Sequence, residues 1–323
     1  MMHRSRIAAV LTVVGALVLT ACGMEQAPQT AESPPSGETR AITHEYGQAD
    51  IPVDPQRVVV LHDGLILGAA LLLDAPIVGY TGKPAGEPIS PHFDEAKLAD
   101  ATDVGWHNPL NIEAVAATQP DLIISQTGFV DSDEYRALSQ IAPTVVFKIS
   151  GTTPWKEASL QVGDVLGDTS PIEQGIADYE ARIEQVREAF GDRAGNTTVT
   201  LANLRSLTDI RVVPRDWCSA TTLQDVGLMF PPGRALEDAE GVSVELLPSI
   251  DADMLFYFVG SSTVDTEAEE ATVAIQQNPL WDTLGAVQND QAHQVDQSHW
   301  FSCGSLQAQN LVLDDVERIL GAA

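Results

Sequence analysis

The sequence predicts an α/β fold of two lobes joined by a single long helix, and three observations carry that prediction. Short apolar, β-branched runs alternate with helical stretches from Arg57 onward. A long amphipathic stretch interrupts that alternation near the middle of the chain. One helix–strand unit recurs about one lobe later.

The alternation starts with Arg57-Val58-Val59-Val60-Leu61, continues through the apolar stretch Leu65 to Leu73, and reaches a second strand at Pro76-Ile77-Val78-Gly79-Tyr80. Unbroken apolar runs mark strands buried on both faces, as in a parallel sheet covered by helices. A helix from Ile112 to Thr118, a strand from Asp121 to Ser125, a helix from Asp133 to Ile141 and a strand from Thr144 to Ile149 complete one lobe. The second begins near Thr197, with strands at Val199 to Leu204, Asp253 to Val259 and Gln294-Val295, a helix near Leu223 and a last helix from Ser305 to Leu320. Each lobe reads as Rossmann-like.

Trp155 to Phe190 is mostly helical. Ile172, Ile176, Tyr179, Ile183, Val186 and Phe190 recur at three- and four-residue spacings, while Glu173, Asp178, Glu180, Arg182, Glu184 and Arg187 take the other face. That pattern is an amphipathic helix. It serves as a spine over 166–194, between an N-terminal lobe over 42–165 and a C-terminal lobe over 195–323. The internal repeat pairs Ile112-Glu113-Ala114-Val115 and Asp121-Leu122-Ile123-Ile124 with Val244-Glu245-Leu246-Leu247 and Asp253-Met254-Leu255-Phe256. The copies are offset by 132 residues, and in both the Asp follows the Glu by eight.

At the N-terminus, His3, Arg4 and Arg6 precede an uncharged, mostly apolar stretch from Ile7 to Thr20. Fourteen residues are too few to span a bilayer comfortably, so residues 1–21 read as a secretory signal. The run ends Leu19-Thr20-Ala21-Cys22-Gly23, which resembles the lipobox of bacterial lipoproteins and implies a lipidated Cys22. Residues 22–41, rich in Pro, Ser, Thr, Glu and Gln, read as a disordered tether. Two fatty chains anchor a protein stably, so the expected location is extracytoplasmic, on the outer face of the cytoplasmic membrane.

Cleavage before Cys22 leaves 302 of the 323 residues, and the 17 basic side chains fall to 15 against 46 acidic ones, a formal charge of −31. Such a surface repels nucleic acid and anionic lipid. Cys218 and Cys303 remain as an even pair in an oxidising compartment, where a disulfide is the default. The sequence has no Gly-x-Ser-x-Gly elbow, no Gly-x-Gly-x-x-Gly after a strand and no HExxH, so an enzyme is not expected.

The phrases Tyr46-Gly47, Ile51-Pro52, Pro55-Gln56-Arg57-Val58-Val59-Val60, Asn111-Ile112-Glu113-Ala114-Val115 and Gln119-Pro120-Asp121-Leu122-Ile123-Ile124-Ser125 resemble the iron-siderophore and cobalamin substrate-binding proteins of ABC importers. The resemblance resumes at Asn278-Pro279-Leu280-Trp281, Leu284-Gly285-Ala286-Val287, Val295-Asp296, Trp300 and Leu313-Asp314-Asp315. It implies a monomer with a rigid connecting helix, one ligand in the cleft between the lobes, and a membrane permease with its ATPase as partners. The ATPase must be a separate chain, because no Gly-rich Lys-Ser/Thr phosphate loop is present.

A ferric siderophore arrives with its iron already coordinated. The protein therefore needs no cofactor and no metal ligands of its own, only a wide cleft, flat aromatic walls and a few donors. Trp106 stands where the cobalamin-binding relatives put a pocket tryptophan. Arg205, after the strand Val199 to Leu204, stands where siderophore-binding relatives often have arginine, beyond a strand's carboxyl end. Arg211 and Arg215 are weaker candidates of the same kind. Trp217 and Trp300, each near a cysteine, are either cleft or core aromatics. His62, Tyr80, His107, Gln126 and His299 fall after strands or before helices. His62 and His107 keep haem open as an alternative cargo, alongside a corrinoid. Glu113 and Glu245 match the glutamates with which the cobalamin-binding relatives meet the permease, and equally suit first-turn helix positions. A lone Arg205 favours a neutral or weakly charged chelate such as a trihydroxamate over a tris-catecholate.

Overall fold

The computed structural model describes residues 37–83, 89–106, 109–149, 153–231, 241–260 and 266–322. Cys22 and His107 lie outside the described residues. The chain enters as an antiparallel hairpin, β1 (Thr39–His44) and β2 (Gly47–Pro52). The last three residues of the expected tether, Thr39 to Ala41, are therefore strand. Tyr46 at the turn stacks on Tyr135 at 4.7 Å and donates to the Val130 carbonyl at 3.0 Å, which ties the hairpin to the N-terminal lobe.

That lobe is a parallel sheet in the order β5-β4-β3-β6-β7, formed by β3 (Val58–Leu61), β4 (Ile77–Tyr80), β5 (Thr102–Asp103), β6 (Leu122–Gln126) and β7 (Thr144–Phe147). The apolar run of β3 is buried on both faces: Val58 and Val60 enter one core, Val59 and Leu61 another. Helices α1 (Leu65–Leu72), α2 (Ile112–Ala117) and α3 (Ser132–Leu138) make the crossovers.

A single long helix follows the N-terminal lobe, as expected, and a separate shorter helix precedes it. α4 (Trp155–Leu166) stops at Gly167, whose φ of 94° is a left-handed helix end, and α5 (Ser170–Phe190) restarts with a proline in its first turn. Thus α5 is shorter at both ends than the expected 166–194. It buries Ile172, Tyr179, Ile183, Val186 and Phe190, as its periodicity requires.

The C-terminal sheet has the order β11-β10-β8-β9, from β8 (Val199–Ser206), β9 (Asp209–Val212), β10 (Met254–Val259) and β11 (Ala292–Gln294); β9 alone runs antiparallel to its neighbour. It is flanked by α6 (Cys218–Asp225), α7 (Thr266–Gln276), α8 (Gly285–Gln288), α9 (Gln297–Trp300) and α10 (Leu306–Ala322).

One apolar core runs from Val58 and Val60 through the α5 residues to Val199, Leu201, Phe256 and Phe258. A shared core leaves the lobes no freely hinging interface. The repeat has a structural meaning. Asp121 accepts the backbone N–H groups of Gln56 (2.8 Å) and Arg57 (2.9 Å) at the start of β3, and Asp253 accepts the backbone N–H (2.7 Å) and the hydroxyl O–H (2.6 Å) of Thr198 before β8. In each lobe one carboxylate aligns two parallel strands.

Candidate ligand-binding site

A cleft of about 470 Å³ opens between the lobes, beyond the carboxyl ends of the N-terminal strands. The N-terminal sheet reverses strand order between β3 and β6, and such switch points are where open α/β sheets bind ligands. From β3 come His62, Asp63, Gly64 and Leu65; from β6, Gln126 and Phe129.

Two loops are set by one carboxylate. Asp103 accepts N–H groups from Gly82 (3.1 Å) and Gly105 (2.8 Å), fixing the turns that carry Lys83 and Trp106 to the cleft. Gly105 and Gly128 have φ near +90°, open to glycine, and each is followed by a cleft aromatic. The outcome is an aromatic wall: His62 lies 4.5 Å from Phe129, and Trp106 meets Phe129 edge-on at 6.3 Å.

The C-terminal lobe supplies the facing wall. Trp217 begins α6, and Phe301 to Gly304 link α9 to α10. The expected disulfide is present: Cys218 and Cys303 are bonded, with Cα atoms 5.6 Å apart. It sits beside Trp217 and Phe301, whose rings are 5.6 Å apart. Gly304 packs on Leu65, and Gln307 donates to the Gly68 carbonyl at 2.8 Å, so the cleft floor joins α1 to α10 directly.

Among the described residues Asp63 and Lys83 are the acidic and basic side chains in the lining, and they form a 2.6 Å ion pair. α1, α4 and α6 begin at the cleft with no side-chain cap, which turns the positive ends of their dipoles toward it. The indole nitrogen of Trp217 is buried without a hydrogen-bond partner. A larger groove of about 870 Å³ lies between β1, β7 and α4, at the edge of the sheet and away from the β3–β6 switch point. It lacks both the facing aromatic walls and the switch-point geometry, so size does not decide between the two.

His62, Trp106, Trp217 and Gln126 thus line the cleft. Trp300 does not: it is completely buried, stacks on Phe256 at 5.2 Å and donates its indole N–H to Asp315 at 2.9 Å. His299 is bound to the same carboxylate at 2.9 Å and is likewise outside the lining. Burial opposes ionisation of Asp315, but hydrogen bonds from His299, Arg318 and Trp300 outweigh it and hold the carboxyl well below its usual range. Tyr80 ends β4 half-buried against the core, and burial, then Asp103 and Glu95, raises its pKa.

Arg205 also departs from expectation. β8 continues to Ser206 and folds back as β9, where Asp209 holds Arg205 at 3.4 Å and Arg211 at 2.8 Å. Neither arginine, nor the exposed Arg215, is in the cleft lining. Glu113 and Glu245 are exposed on first helical turns outside the cleft. Sequence reasoning missed Asp63, Lys83, Phe129, Trp155 and Phe301. The first three carried a usable signal, lying within a few residues of a strand's carboxyl end. Among the described residues no cluster of three His, Cys, Asp or Glu side chains is arranged to hold a metal ion, and no helix is long and apolar enough to cross a membrane.

The periplasmic binding protein profile matches residues 59–298. A probable siderophore-binding lipoprotein of Bacillus subtilis, YfiY, is 29% identical over 316 residues, covering 94% of each chain. The Fe(3+) dicitrate-binding periplasmic protein FecB of Escherichia coli is 27% identical, covering 85% of this chain and 89% of its own. Among solved structures, Staphylococcus aureus SirA complexed with staphyloferrin B superposes with a TM-score of 0.74 at 22% identity, over 88% of this chain and 99% of SirA. These are solute-binding proteins and not enzymes. With about three quarters of its length matched by the profile, this chain belongs to the periplasmic binding protein family.

Proposed function

We propose that this chain is an extracytoplasmic solute-binding lipoprotein that captures a ferric siderophore and delivers it to an ABC permease served by a separate ATPase. The observation that carries the reading is the pair of aromatic walls, His62–Phe129–Trp106 and Trp217–Phe301, facing one cleft. Aromatic faces and a few donors suit a bulky chelate whose iron needs no further ligand. The names of the relatives, which bind siderophores or ferric dicitrate, support the same class of cargo. With Lys83 neutralised by Asp63, the remaining positive field among the described lining residues is that of the helix ends. That balance favours a neutral or weakly charged chelate such as a trihydroxamate.

In this reading Cys22 is lipidated and holds the monomer to the outer face of the cytoplasmic membrane. Glu113 and Glu245, exposed and outside the cleft, meet the permease from their own lobes.

The test is titration of the purified, unlipidated protein with a panel of ferric siderophores. Tryptophan emission should fall to saturation at one chelate per chain. His62 in the cleft wall favours one competing cargo, haem. A Soret band on haem addition, with no response to any siderophore, assigns the site to haem.

A further inference from the structure

Beneath the C-terminal wall lies a buried polar chain that capture of a chelate does not by itself require. Tyr179 of α5 is 2.9 Å from the Thr222 hydroxyl of α6, Thr222 donates to the Gln309 side-chain carbonyl of α10, and the Gln309 amide nitrogen donates to the Cys303 carbonyl at 2.6 Å. Gln309 and Thr222 are fully buried and Tyr179 is 1% exposed. The polarity of the chain is fixed. A backbone carbonyl needs a donor, so the Gln309 NH₂ faces Cys303 and its oxygen faces Thr222. Burial raises the pKa of Tyr179, which stays a donor.

The chain ends at the residue that anchors one side of the aromatic wall. Cys303 is bonded to Cys218, next to Trp217 and two residues after Phe301. Ser219 donates to the Trp300 carbonyl at 2.7 Å. The disulfide fixes the distance between the two segments but leaves rotation about its own bonds. A hydrogen bond to the Cys303 carbonyl fixes the orientation of the peptide that follows, and hence how the loop enters the cleft.

We propose that Gln309 is a positioning residue for ligand capture, holding the Phe301–Gly304 loop, and through the disulfide Trp217, in the orientation that binds the chelate. This rests on the inter-lobe cleft being the siderophore site. Gln309→Met keeps the side-chain length and removes both bonds. Thr222→Val removes the hydroxyl's bonds to Tyr179 and Gln309 and leaves the Gln309–Cys303 bond in place. Asn310→Ala, one residue on, cuts a 2.8 Å contact from Arg182 of α5 to α10 and touches nothing in the cleft.

Two readouts separate positioning from general stability: the affinity for a ferric trihydroxamate by tryptophan quenching, and the rate at which dithiothreitol reduces Cys218–Cys303 in the ligand-free protein. Gln309→Met should bind about tenfold more weakly and be reduced about tenfold faster, with Thr222→Val between it and the native protein. Asn310→Ala should stay within about twofold on both while its melting temperature falls. Native affinity and reduction rate in folded Gln309→Met, or equal losses in Asn310→Ala, would overturn the proposal. If the native chain binds no ferric siderophore, the cargo reading fails, and the reduction rates alone decide the positioning role.

Discussion

Trp217 and Phe301 stand 5.6 Å apart on the cleft wall, although 84 residues separate them, because the Cys218–Cys303 bridge ties α6 to the segment entering α10. Such a bridge closes a long loop and typically contributes about 2–4 kcal/mol. Cys218→Ser, Cys303→Ser should therefore lower the urea unfolding midpoint and weaken chelate binding together. Lower stability with intact affinity would mean that the wall holds its shape without the bridge.

Lys83 and Asp63 form their pair with little solvent around either carboxylate or ammonium. Removing one partner leaves the other charge uncompensated. Asp63→Asn should cost about 1–3 kcal/mol of stability. It should also shift preference toward anionic chelates, raising affinity for a tris-catecholate relative to a trihydroxamate at low salt. An unchanged preference ratio would remove the pair from ligand selection.

His92 has both ring nitrogens buried without hydrogen-bond partners, and burial, reinforced by His299 and Lys83 against the opposing Asp296 and Asp63, depresses its pKa to about 4. Between pH 6.5 and 4 the unfolded chain takes up this proton and the folded chain does not, so stability falls as pH falls through that window. The loss should total about 2–3 kcal/mol. His92→Phe should flatten the slope of unfolding free energy against pH. Asp315, held well below its usual range, adds to the loss only below about pH 5, where the unfolded carboxyl begins to take up a proton and the folded one does not. An identical slope in the variant would assign the acid sensitivity to other groups.

Reversing Glu113 and Glu245 tests delivery apart from capture. Both are exposed and neither lines the cleft, so Glu113→Arg, Glu245→Arg should bind chelate normally. Like charges across an interface cost several kcal/mol, so uptake into cells carrying the permease should fall further than with either single change. Wild-type uptake by the double variant would leave both as ordinary first-turn glutamates.

The legible parts of the fold were those whose burial is written in consecutive residues. β3 and β10 are unbroken apolar runs, β6 opens with Leu122-Ile123-Ile124, and α5 carries its core stripe at helical spacing. The β1–β2 hairpin was not legible, because it is mostly exposed and mixes Arg40, Asp50 and polar residues with few apolar ones. In the site, His62, Trp106 and Gln126 could be found from their place after strands. Trp300 could not be oriented that way: a short helix turns it into the core, where Asp315 satisfies its N–H. Arg205 was misplaced because Asp209, on a strand too short and charged to recognise, captures the guanidinium. The Lys83–Asp63 pair exists only in three dimensions, across a loop and 20 residues of chain.

The most direct test of the account is the affinity of the double variant Trp106→Ala, Trp217→Ala for whichever ferric siderophore the native protein binds. One aromatic is removed from each wall, and the disulfide remains. Each lost face should cost about 1–3 kcal/mol, so the pair should weaken binding by at least about 30-fold while the protein stays folded. Native affinity in the folded double variant would contradict the account and place the ligand outside this cleft.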